Sequence, residues 1–160
     1  MNNLNDWDSN WELDAIAQMD KGGTPTDWEY DGLNILYDSP EAVTNGHFAI
    51  FGCGCMEDRR DSKYDKPLAK LAESVRSELR EPTKTLDVVA LRKQEPLPPT
   101  VQLHSRVKVD KYTLQRPYIL FCLDLLGVDD TAQYRWVLDD TAILIHGHGG
   151  KYAIVMIVEV

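Results

Sequence analysis

The sequence predicts an α+β fold: a largely antiparallel sheet of five or more strands, one principal amphipathic helix over about 66–81, and a short N-terminal helix. Three observations lead there. An apolar stripe with helical spacing runs through 68–79, period-two alternation occupies 101–110, and short apolar runs separated by turn residues fill the chain from 133 onward. With 160 residues, 43% hydrophobic and 27% charged, the chain reads as a single domain, 1–160, opening with an acidic, aromatic-rich segment over about 1–45. A chain of this length buries roughly two-thirds of its unfolded surface, so its stability requires no disulfide or metal staple.

Each element has a local reason. Ser9-Asn10-Trp11-Glu12 has the S-x-x-E form of a capping box, so a short helix is expected over about 10–19, stopped by Gly22-Gly23. Gly32–Tyr37 reads as a strand, Ser39-Pro40-Glu41 as a turn, and His47–Cys53 as a buried strand entered through the Asn45-Gly46 turn. Glu57–Tyr64 is charged and reads as a loop. In the principal helix, Leu68, Leu71, Ala72, Val75 and Leu79 form the buried stripe; Asp65 is placed to cap it, Pro67 suits its first turn and Pro82 ends it.

Leu86–Leu91 reads as a strand, and Gln94–Thr100, with three prolines, as a stiff extended connection. Val101, Leu103, Ser105, Val107 and Val109 alternate with Gln102, His104, Arg106, Lys108 and Asp110, which predicts one buried and one wet face. Pro117–Leu126 suits either a buried helix bounded by Pro117 and Gly127 or a central strand, and is assigned to a strand. Gln133–Leu138, Ala142–His146 and Tyr152–Val160 complete the sheet, the last two as a hairpin around His146–Lys151. The apolar strand Tyr152–Val160 is expected at the centre; an edge position would instead pair it with a second copy in a homodimer or with a strand-adding partner.

The net charge of −9 hides an asymmetry. Residues 1–58 hold twelve acids and one base, a local net of −11; residues 59–120 hold fourteen bases and eight acids, a net of +6; residues 121–160 return to −4. Trp7, Trp11, Trp28, Tyr30 and Tyr37 lie among Asp6, Asp8, Glu12, Asp14, Asp27, Glu29, Asp31 and Asp38. Rings that anchor and carboxylates that steer suit an interface with a basic protein. The same acidity opposes direct binding of nucleic acid.

Three cysteines, Cys53, Cys55 and Cys122, are too few for a secreted disulfide framework. Together with an N-terminus that lacks the features of a signal peptide, and no apolar run long enough to span a membrane, they suggest a cytoplasmic protein that binds no membrane.

Candidate chemistry is sparse. Cys53-Gly54-Cys55 and His146-Gly147-His148 could each offer two converging ligands from a strand end, a set suited to zinc, although one-residue spacing is tight for a structural site. No cofactor is otherwise expected. Cys53 or Cys55 could pair with His47, His146 or His148 as an activated nucleophile, with Asp139 orienting the ring. His47 stands six residues from Cys53 on one presumed strand, roughly 20 Å away, and is a poor base for it. Asp129-Asp130 and Asp139-Asp140 read as turn residues rather than metal ligands. The run His146–Lys151 has glycines and a lysine, but neither the spacing nor the following helix of a phosphate loop. The stripe His104, Arg106, Lys108 reads as protection of an exposed strand edge.

The expectation is therefore a small acidic protein that works by protein–protein interaction, as an inhibitor, immunity or anti-defence protein does, part of its surface imitating the phosphates of DNA. Its working residues would be Trp7, Trp11, Asp6, Asp8, Glu12, Asp14, Trp28 and Tyr30. The alternative is a metal-dependent or cysteine–histidine enzyme built on Cys53, Cys55, His146 and His148.

Overall fold

The computed structural model describes residues 29–30, 33–52, 62–101 and 103–158. The expected N-terminal helix over 10–19 lies outside them. The fold is α+β, built on a seven-stranded, fully antiparallel sheet. Its strands are β3 (Tyr37–Asp38), β4 (Ala42–Thr44), β5 (Phe48–Phe51), β6 (Lys84–Asp87), β9 (Thr131–Val137), β10 (Ala142–His146) and β11 (Tyr152–Met156), in the order β3-β4-β5-β11-β10-β9-β6. Two small antiparallel pairs stand apart from it, β1 (Glu29–Tyr30) with β2 (Leu33–Asn34), and β7 (Arg106–Val109) with β8 (Tyr112–Gln115). The stretch expected as one strand over 32–37 is thus divided between β2 and β3.

Strand alternation gives the sheet two apolar faces, and a helix covers each. On one side α1 (Asp65–Val75) presses Leu68, Leu71 and Val75 onto Ala49, Val137, Leu144 and Ile154. The expected stripe is present, but the α-helix ends at Val75 and continues as a 3₁₀ turn, Arg76–Arg80. Asp65 is the first helical residue rather than the cap; Tyr64 occupies the cap position without a side-chain bond. The tighter 3₁₀ winding brings Glu78 to Arg135 on β9, a 2.8 Å ion pair between half-buried side chains.

On the other side lies α3 (Arg116–Leu126), which corrects the strand assigned to Pro117–Leu126. Pro117 sits in its first turn, and Gly127, at φ 74°, closes it in the left-handed conformation that glycine adopts without strain. Six of its residues are buried, including Ile119, Phe121, Cys122 and Leu123, because the sheet and the β7–β8 hairpin pack around it. Burial of each such large side chain contributes about 1.5–3 kcal/mol.

Leu86–Leu91 is also corrected. Asp87 ends β6, and its carboxylate accepts the Ala90 amide at 2.9 Å, so that α2 (Val88–Lys93) starts in mid-run. Among the described residues of the alternating stretch over 101–110, only Arg106–Val109 forms a strand. Its outer edge is covered by the chain itself. Leu97 exchanges backbone bonds with Arg106, and the Gln94 side-chain amide accepts from the Lys108 amide and donates to its carbonyl. Both aspartate doublets serve turns; Leu138, Asp139 and Asp140 run consecutively at positive φ between β9 and β10.

β11 is central as expected, paired with β5 along one edge and β10 along the other. It therefore has no open edge for a second copy to join.

Candidate functional site

Trp7, Trp11, Asp6, Asp8, Glu12, Asp14 and Trp28 lie outside the described residues, as do Cys53 and Cys55; of Tyr30 only the backbone, in β1, is described. Tyr37, grouped with the interface aromatics in the sequence, is instead a core residue. It is 8% exposed and packs in the α1-side cluster.

The histidine pair is set by the β10–β11 hairpin. His146 is the last residue of β10, paired with Tyr152, and shares the face of Ala142 and Leu144 toward α1. Burial holds its imidazole below the ordinary 6.5. The strand then stops. His148 opens a 3₁₀ turn, exposed, with its Cδ2 beside Gly127 at the end of α3, on the opposite side of the sheet. The expectation that both imidazoles point to one face fails because only His146 belongs to the strand. Gly147 has a packing reason: a Cβ there would stand 2.8 Å from the Leu126 side chain.

Register does bring the approach to Cys53 to this end of the sheet. Phe51 pairs with Tyr152, and a Cβ on Gly52 would lie 3.5 Å from Lys151 Cα. His47 is at the other end of β5, stacked on Tyr118 with ring centroids 5.5 Å apart. Asp139 is likewise separated from His146 by the length of β10, so it does not orient that ring. Among the described residues no group of three or more His, Cys, Asp or Glu side chains could hold a metal ion. Among them, too, no helix is long and apolar enough to cross a membrane.

Two polar clusters went unread in the sequence. Asp110, in the β7–β8 turn at φ 54°, accepts three bonds on one oxygen, Oδ2: from Trp136 Nε1 at 2.8 Å, Tyr134 Oη at 2.9 Å and Lys84 Nζ at 3.3 Å. The Trp136 bond is the largest influence holding its carboxyl below 3.8, with Tyr134 and Lys84 adding and partial burial opposing. Burial first, and then the carboxylate beside it, push the Tyr134 phenol up to about 12. A cleft of about 210 Å³ borders this cluster, with Asp87, Gln94 and Lys108 on its walls. At the start of α3, Tyr118 stands between two imidazoles, His47 stacked and His104 edge-on at 5.4 Å. Burial raises the Tyr118 phenol, a shift that the Asn45 side chain partly offsets.

These clusters join residues 14 or more apart in sequence, which is why no local motif announces them. Comparison of the chain with protein-family models, with curated proteins and with solved structures finds no match.

Proposed function

We propose that this chain acts in the cytoplasm by binding another protein with a basic surface, in the manner of an inhibitor, immunity or anti-defence protein. One observation carries the reading: twelve acids against one base in residues 1–58, with Trp7, Trp11, Trp28 and Tyr30 set among them. Carboxylates at that density steer a cationic partner from a distance, and large rings supply the desolvated anchors that hold it. Part of that acidic surface would imitate the phosphates of DNA, which makes a DNA-binding enzyme a natural target.

The test is affinity capture by the immobilised chain over a salt series, repeated with Asp6, Asp8, Glu12 and Asp14 changed to lysine. A partner retained at low salt, released at high salt and lost on charge reversal supports the reading. Capture indifferent to both overturns it.

A second reading, a metal or thiol site in which Cys53 or Cys55 takes one of the two diverging histidines, His146 or His148, draws on the closeness of Gly52 to Lys151. Elemental analysis for zinc, with labelling of Cys53 and Cys55 by a thiol-reactive probe in the folded protein, separates it from the first.

A further inference from the structure

We propose that the hollow between α1 and the β3–β4–β5 edge binds a small organic ammonium ion, an amine with an apolar body. The hollow, an open cleft, measures about 470 Å³, inside the range of about 300–1,000 Å³ common to small-molecule clefts. Side-chain size creates it. Asp65, Leu68, Ala69 and Ala72 form one stripe of α1, and Ala42 faces them from β4. Three methyl groups leave open a space that longer side chains would close.

The lining selects for charge. Tyr37 and Phe51 contribute rings, Phe51 steadied by Tyr152 with centroids 5.1 Å apart. Glu41 and Asp65 contribute carboxylates, and neither has a hydrogen-bond or ion-pair partner for its side chain among the described residues. Lys63, two residues before Asp65, carries its ammonium over the Tyr64 ring at 5.0 Å. The Ser39 hydroxyl oxygen, also in the lining, is occupied by the amides of Glu41 and Ala42. A cation gains from both carboxylates and from the ring faces, while its body covers Leu68 and the alanines. An anion meets two like charges, and a neutral molecule forgoes the charge-assisted contact.

The experiment titrates the full chain with benzylammonium chloride, benzyl alcohol and sodium benzoate, following the Ala42, Ala69 and Ala72 resonances by NMR. Saturable shifts with benzylammonium are expected, about tenfold tighter than with benzyl alcohol and absent with benzoate, the ratio that one charge-assisted contact gives. Glu41→Gln keeps the backbone bonds of its turn and weakens benzylammonium by about the same factor. Ala69→Leu fills the hollow and abolishes the shifts. Absence of saturable shifts with benzylammonium, equal affinity for the neutral isostere, or undiminished affinity in either variant overturns the proposal.

Discussion

The indole N–H of Trp136 meets the carboxylate of Asp110 at 2.8 Å, and this contact ties the β7–β8 turn to a strand near the sheet edge. Since Tyr134 and Lys84 converge on the same oxygen, the carboxylate joins three side chains from two strands.

Replacing Asp110 should loosen the hairpin. Asp110→Asn keeps an acceptor oxygen and tolerates the positive φ, so its cost is about 1 kcal/mol; Asp110→Ala removes the acceptor and adds backbone strain, for about 2 kcal/mol. Urea unfolding followed by circular dichroism gives both values. Two variants indistinguishable from wild type would show the contact to be energetically idle.

The same group sets an acid limit. Its carboxyl lies below 3.8 in the folded state, so the unfolded chain binds more protons in that window. Its stabilising contribution is complete above about pH 5 and is lost as pH falls through the folded value, below 3.8. The gap in urea midpoint between wild type and Asp110→Asn should therefore narrow between pH 6 and pH 3.

His146 acts at a higher pH with the same sign. Burial depresses its folded value below 6.5, so stability present above 6.5 declines as pH falls through the folded value. His146→Gln should flatten the dependence of the melting temperature on pH between 7.5 and 5. An unchanged slope would assign that dependence elsewhere.

Glycines in the β10–β11 turn differ in what they allow. Gly147→Ala drives a Cβ to 2.8 Å from Leu126 and should cost about 1–3 kcal/mol through overpacking. Gly149 has open space around it but φ 67°, so Gly149→Ala pays only backbone strain, about 1 kcal/mol. Thermal unfolding of the two ranks them.

Thr44 tests a buried bond. Its hydroxyl donates to the Phe48 carbonyl at 2.6 Å and accepts the Gly46 amide at 3.1 Å. Thr44→Val preserves shape but strips both partners, at about 1–3 kcal/mol. Amide exchange at Gly46 should accelerate in the variant.

Legibility in the sequence tracks how local each cause is. The stripe Leu68-Leu71-Val75 announces α1 because one face is buried and the other wet. The β10–β11 hairpin is announced by two apolar runs around glycines. α3 is hidden by the same physics, since burial nearly all round leaves Tyr118–Leu123 without a polar beat, and only Pro117 and Gly127 mark its ends. Asp87 conceals the start of α2 by serving as both strand residue and cap. Among the site candidates, the divergence of His146 and His148 depends on where β10 stops, which alternation alone does not specify. The Asp110 cluster depends on pairing between β6 and β9, fifty residues apart at Lys84 and Tyr134.

The central place of β11 governs how the molecule can come into being. Among the described residues, one half of the sheet, β3-β4-β5, is linked by strand pairing to the other, β10-β9-β6, only through it. A growing polypeptide can assemble each half early, but they remain strangers until synthesis has passed Met156. Joining them closes a loop of about a hundred residues between Phe48 and Val155, so assembly is governed by slow, long-range encounter. A chain stopped before Tyr152 should expose the apolar edges of β5 and β10 to aggregation.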